Sequence, residues 1–258
     1  MSEVKFEFTN HLEITGVKGL PEISEGDDLT SLFFDALEEN GLGLEDGDVI
    51  IFTSKILSKS EGRVIALAKV KPGSEAERIA KETGKDPKIV QLILNETKEI
   101  LRIARNIIIV ETHHGFVCAN AGIDESNVEV GKAVLLPEDP QSSVSRLRQE
   151  IEARSGKLVS VLTSDTFGRA FRDGVTGICI GVSGIPAVLD RRGEQDRFGK
   201  IARITKEAVA DEVCAAANLV IGEFSEGIPV AIVRGLRLMQ HDSDIKDVLF
   251  LKGNDLFR

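Results

Sequence analysis

Apolar and polar positions along this chain follow two periods in turn, and together they predict a succession of short strands and helices. Val4, Phe6 and Phe8 alternate with polar residues, as in a half-buried strand. Asp27 or Asp28 then caps a helix whose Leu29, Leu32, Phe33, Ala36 and Leu37 share one face, with Gly41 as its stop. The run 48–53 (DVIIFT), bounded by Gly47 and Ser54, predicts a buried strand, and 63–67 a shorter one before the Pro72-Gly73 turn. Ser74 and Glu77 have the spacing of a capping box and open a helix that closes near Gly84. Asp86-Pro87 restarts a helix, proline first, to about Asn95, and 106–112 (NIIIVET) is another buried strand.

The second half continues in the same mixture. After a rigid acidic loop at 135–140 (LLPEDP), Ser142 or Ser143 caps a helix carrying Val144, Leu147 and Ile151 as far as Gly156. The helix after Pro140 is also the candidate hinge between two lobes. Strands are expected at 158–163, at the glycine-punctuated 174–184 and at 228–233, with a long alanine-rich helix over 205–221. No repeat of fixed period and no low-complexity linker interrupts the pattern. The fold class is α+β or mixed α/β, in two lobes, with a strand order that periodicity does not reveal.

Composition narrows the function. The chain has 258 residues, ample for a real core, with 42% hydrophobic and 29% charged residues. Lys plus Arg is 32 against 42 Asp plus Glu, a net charge of −10 that repels phosphate backbones and argues against nucleic acid as a partner. Trp and Tyr are absent, so any stacking on a planar ring falls to the 12 Phe, or to His or Arg. Apolar stretches such as Ile107 to Val110 fall far short of the roughly 18 residues of a membrane helix. The N-terminus lacks the basic start and apolar core of a signal peptide, so a cytoplasmic protein without a membrane partner is expected. Cys118, Cys179 and Cys214 sit in apolar runs and read as core rather than as a disulfide frame or zinc cluster. His113 and His114 are adjacent, which suits a turn or cap better than a metal site.

Four segments carry more functional groups than their context needs. In 54–63 (SKILSKSEGR), Lys55 and Lys59 stand four apart, as do Ser54 and Ser58, so a helical turn puts both pairs on one side. Such a face suits phosphate oxygens, or is a solvated surface turn; no Walker A loop is present. In 118–128 (CANAGIDESNV), Asp124 projects from a loop and Asn127 follows. In 163–172 (TSDTFGRAFR), Asp165 and Thr166 are adjacent, again in a loop after a strand, with Arg169 beyond. Carboxylates beside a hydroxyl suit a hard divalent cation near phosphates, and Arg169 suits a transferring phosphoryl group or a substrate carboxylate. For each Asp, an Asx turn or helix cap is the commoner role. In 221–228 (IGEFSEGI), Glu223 lies between Gly222 and Gly227, either as part of a helix stop or where backbone approaches a ligand closely. The charged loop 190–199 (DRRGEQDRFG) is a substrate lid or a solvated turn.

Taken in order, the segments 19–29, 53–63, 114–128, 135–143, 164–177, 190–199 and 210–235 resemble the coenzyme F420-0:L-glutamate ligase family, the gamma-glutamyl ligases of deazaflavin cofactor biosynthesis. The resemblance implies a cytoplasmic enzyme that spends GTP, with Mg²⁺ or Mn²⁺ (two ions) and K⁺ besides, to join L-glutamate to the precursor F420-0, and then extends the product through γ-linkages. It implies Asp124, Asp165, Thr166 and Glu223 as metal ligands. Around GTP it implies Leu20, Pro21, Glu22, Ile23, Ser54, Lys55, Lys59, Asn127, Ile221, Gly222, Glu223, Phe224, Ser225, Glu226, Gly227 and Ile228. Lys59 and Arg169 are the expected catalytic cations. It also implies an intertwined homodimer of two-lobed α+β subunits, a family core over 1–240 without the nitroreductase-like extension of some fusions, and no assigned role for 241–258. A ligase or phosphotransferase acting on another small carboxylate, or a non-catalytic nucleotide-binding protein, is the competing reading.

Overall fold

The apolar runs become the interior of a mixed five-stranded sheet. In this computed structural model, residues 10–237, 241 and 243–255 are described; the strand expected around Val4, Phe6 and Phe8 lies outside them. The chain runs through β1 (Glu13–Val17), α1 (Leu29–Glu39), β2 (Val49–Thr53), α2 (Ser54–Ser60) and β3 (Val64–Ala66). It continues through α3 (Ser74–Thr83), α4 (Pro87–Asn95), β4 (Thr97–Ala104), β5 (Ile107–Thr112), β6 (Val117–Ala119) and β7 (Lys132–Val134). Last come α5 (Pro140–Ser155), β8 (Ser160–Arg169), β9 (Arg172–Ser183), β10 (Leu189–Asp190), β11 (Lys206–Glu207), α6 (Val209–Ile221) and β12 (Val230–Arg234).

The main sheet has the order β1-β12-β2-β8-β9; β2 and β8 are parallel and the other neighbours antiparallel. Alternation divides its side chains between two faces. Ile50, Phe52, Val161 and Ile232 pack with Phe33 and Leu37 of α1 and with Val144, Leu147 and Ile151 of α5. Val49, Ile51, Leu162 and Ala231 pack on the other side with Val213, Cys214 and Ala217 of α6. A third hydrophobic cluster draws only on residues between Ile65 and Leu135, among them Ile79, Val90, Ile93, Ile108 and Val110. Here β4-β5-β6 form one small sheet and β3-β7 another. No described helix is long and apolar enough to cross a membrane.

Several local expectations change. The Ser74/Glu77 capping box does not form: Gly73 takes the N-cap position and Ser74 is already helical, so its hydroxyl sits too far along to reach the free N–H groups. In α5 the cap is Asp139 rather than Ser142 or Ser143; its carboxylate accepts from Ser142 N at 3.0 Å, with Pro140 in the first turn. Val144, Leu147 and Ile151 of that helix are wholly buried against the sheet. The helix expected from Thr205 begins at Val209, since Lys206 and Glu207 pair with β10 instead. The strand expected at 63–67 ends at Ala66 and passes into a 3₁₀ turn. All three cysteines are buried, as their apolar settings predict.

Candidate functional site

The C-terminal end of β2 lies beside the middle of β8, Thr53 opposite Ser164, and the residues just beyond Thr53 and Thr163 form the floor of a cleft of about 370 Å³. After Thr53, the chain turns at once into α2, so Ser54, Lys55 and, one turn on, Lys59 line the cleft. Asp165 and Thr166 do not lie in the loop that the sequence predicts. They are in β8, which continues to Arg169 because β9 pairs with it throughout, Thr166 opposite Gly177. The change matters physically, since a strand fixes adjacent side chains to opposite sides. Asp165 accepts from Ser54 Oγ at 2.7 Å on the α2 side, and Thr166 Oγ1 donates to Glu223 Oε2 at 2.9 Å beyond the end of α6.

Helix α6 stops at Gly222 (φ +78°), where a side chain would both strain the backbone and strike the Glu226 carboxylate. The 222–228 loop beyond it forms the opposite lip. Phe224 N donates to Glu226 Oε2 at 2.8 Å, and the Phe224 carbonyl accepts from Asn127 Nδ2 at 3.2 Å. The Phe224 ring is 84% exposed and is the one aromatic side chain among the cleft residues. Every residue expected around the nucleotide lines this cleft. Asp124 joins it indirectly, through a 2.7 Å ion pair with Lys55 Nζ. Arg169 does not join: it is exposed at the far end of β8, opposite Arg172, outside the cleft lining.

Two residues in this network carry no signal that motif spacing or periodicity detects. Ser126 accepts from Lys55 Nζ at 2.8 Å and donates to Asp124 through both N–H and hydroxyl. Asn218, in the last turn of α6, donates to Glu223 Oε1 at 2.8 Å. Its placement just ahead of the Gly-Glu-Phe loop is the one hint the sequence offers.

The electrostatics are those of a site holding opposed charges. Burial pushes the Asp165 carboxyl up to about 6, against the pull of the Ser54 hydroxyl, the Thr166 N–H and the Lys55 ammonium. Burial also raises Asp124, but the Lys55 and Ser126 hydrogen bonds outweigh it and hold that carboxyl below its ordinary value. Lys59 is 9% exposed and pairs with Glu22, whose side chain stands in the open. Burial, with the nearby Asp165 charge, pushes the Cys118 thiol up to about 12, so it is inert as a nucleophile. As donors, Asp124, Asp165, Thr166 and Glu223 are all hard oxygens, the right kind for Mg²⁺ or Mn²⁺. Among the described residues no three Asp, Glu, His or Cys side chains already stand as a metal cluster. The carboxylates are satisfied instead by Lys55, Ser54, Ser126, Thr166 and Asn218.

A cleft at the carboxyl end of β2, lined by paired lysines, carboxylates and a glycine-bounded loop, has the character of a small-ligand site suited to anions. Comparison with known proteins supplies the particular family. The profile described as F420-0:Gamma-glutamyl ligase matches residues 18–235, and the chain belongs to that family of ligases. It is 45% identical over 249 residues to the coenzyme F420:L-glutamate ligase of Methanothermobacter thermautotrophicus, covering 96% of this chain and 99% of that one. It is 50% identical to the protein of the same name from Methanocaldococcus jannaschii, over 83% and 86% of the two chains. The Archaeoglobus fulgidus protein of that name is 44% identical over 96% of each.

Proposed function

We propose that the chain joins L-glutamate to coenzyme F420-0 at the expense of GTP, and that it extends the product through γ-glutamyl bonds, acting as a homodimer in the cytoplasm. The observation that carries this reading is the meeting, in one cleft, of Lys55 and Lys59 with the Ser54–Asp165 and Thr166–Glu223 pairs.

A carboxylate resists attack by an amine because its carbonyl is electron-rich and its oxygen is a poor leaving group. A carboxylate oxygen of the acceptor therefore takes the γ-phosphoryl group of GTP, releasing GDP and leaving an acyl phosphate. The neutral amine of glutamate attacks that carbonyl carbon, phosphate departs with the bonding pair, and the amine loses its proton. Donor and acceptor are both anionic, so the site must cancel charge before they meet. Lys55 and Lys59 supply two positive charges, each neutralised in this structure by a carboxylate of the chain itself, Asp124 and Glu22. Phosphate oxygens entering the cleft exchange with those carboxylates. Asp124, Asp165, Thr166 and Glu223 are the residues that would hold Mg²⁺ or Mn²⁺, which when bound supplies charge neutralisation at the phosphates.

Incubation with GTP, Mn²⁺, L-glutamate and F420-0 should yield products heavier by whole glutamyl residues, with GDP formed in step. GDP release without a glutamyl adduct would favour the phosphotransferase reading, and the same adducts with ATP alone would overturn the assignment to GTP.

A further inference from the structure

The seat of α6 on the sheet brings to the cleft a residue that the chemistry above does not employ. Gly177 on β9 is the register partner of Thr166. Its lack of a side chain is what admits the helix: a Cβ there would stand 2.9 Å from the Cys214 carbonyl oxygen and 3.0 Å from Asn218 Cβ. Two turns earlier, Asp211 Oδ1 accepts from Cys179 N at 3.0 Å, where the β8–β9 register steps from Thr163 and Gly181 to Ser164 and Cys179. The helix is thus tied to the strand at one end and seated closely at the other, with Asn218 over Gly177 and beside Thr166. From there the Asn218 amide reaches Glu223 Oε1 at 2.8 Å, while Thr166 reaches Oε2 at 2.9 Å.

We propose that Asn218 is a positioning residue that orients Glu223, and through it Thr166, for binding a divalent cation. The proposal rests on the metal assignment made above. Thr166 Oγ1 is nearer Oε2 and also lies 3.2 Å from Oε1, and the Asn218 amide takes Oε1 from a second element, so the carboxylate is held from two sides and its rotation is fixed on a long stem. A hydroxyl has one proton, and with that proton given to Glu223 the remaining lone pairs of Thr166 are left as acceptors. An amide is the suitable partner because it steadies the carboxylate without neutralising it. A lysine there would compete with the cation.

The test is a Mn²⁺ titration in the presence of GDP, with free Mn²⁺ read by its electron paramagnetic resonance signal, on wild type, Asn218→Leu, Asn218→Ala and Glu223→Gln. Asn218→Leu keeps a side chain of similar shape against Gly177 but loses the donor and adds no charge, so it decides the matter even if the alanine variant folds poorly. Both Asn218 variants should bind Mn²⁺ at least about tenfold more weakly, the loss usual for partners of metal ligands. In the ligase assay, KM for Mn²⁺ should rise by more than kcat falls. If Asn218→Leu binds Mn²⁺ like wild type while Glu223→Gln does not, Asn218 has no such role and the metal assignment stands. If Glu223→Gln also binds like wild type, the assignment of Glu223 fails and the proposal fails with it.

Discussion

The two regions that meet at the cleft hold their functional groups in different ways. The five-stranded sheet does so by packing: Val49 to Phe52 of β2 and Val230 to Val233 of β12 are buried throughout, Ser54 follows the first run with one residue between, and Asp165 continues directly from the buried Ser160 to Ser164 of β8. The 64–135 region reaches the cleft through a loop. Its Asp124 is held by a backbone bridge to Val134 and, at the side chain, by the Lys55 ion pair, and its Asn127 side chain by a hydrogen bond to the Phe224 carbonyl. One wall is fixed by a core and the other is tethered by polar contacts. Catalytic demands should therefore fall hardest on the first wall, and ligand-dependent rearrangement on the second.

The largest effect expected from breaking this contrast is at Asp165. Asp165→Ala should lower ligase turnover by about a hundredfold or more, the scale at which several kcal/mol of charge stabilisation at phosphate is lost. Its urea midpoint should hold or rise, because a buried carboxyl is removed. Activity within tenfold of wild type at limiting Mn²⁺ would show that the rigid wall does not carry the chemistry. Next in size is Leu162→Ala, shortly before the site on the same strand and wholly buried between β2 and α6. It should cost about 2–5 kcal/mol in urea unfolding. At temperatures where the variant stays folded, turnover should be nearly kept.

A smaller effect, with a definite sign, comes from pH. Asp165 titrates at about 6 in the folded chain against an ordinary value of 3.8, so the native state binds that proton more tightly than the unfolded state does. Ionising Asp165 therefore costs stability, not at all below about pH 4 and fully above about pH 6. Asp165→Asn never ionises and should gain on wild type across that window. Urea midpoints of the two proteins at pH 4 and pH 7, without metal, read the difference directly. A gap that stays constant would mean that Asp165 is not desolvated as described.

How much of the fold and site is legible in the sequence obeys the same division. Strands buried on both faces read as continuous apolar runs, so 48–53 and 228–233 locate β2 and β12 to within a residue or two, and the apolar run 106–112 locates β5 as well although its Ile107 is exposed. The strands that the pattern misses, β1, β4, β6, β7, β10 and β11, are short or only partly buried. In β4 the pattern is also disturbed by two register shifts against β5, which blur any two-residue period. The strand order is invisible because it depends on long-range pairing of β12 between β1 and β2. At the site, unusual composition marks the paired lysines, the Asp-Thr step and the Gly-Glu-Phe loop. Asn218 and Ser126 carry no such mark, since a single polar residue acquires meaning only when folding sets it against Glu223 or Asp124.

The tethered wall offers the subtlest test. Lys55 pairs with Asp124 at the surface, with the two side chains 27% and 43% exposed, so the pair itself should stabilise the fold by no more than about 1 kcal/mol. The Asp124 carboxyl lies below its ordinary value, so this small contribution is present above about pH 4 and fades as the pH falls further. Lys55→Gln should therefore leave the urea midpoint almost unmoved at neutral pH while weakening GDP binding severalfold, because phosphate loses a cation that the fold scarcely needs. Asp124→Asn acts on the opposite partner and frees Lys55 from its carboxylate. Without metal, it should bind GDP at least as tightly as wild type. If instead both variants weaken metal-free GDP binding equally, then Asp124 is not competing with phosphate for Lys55, and the second wall is as fixed as the first.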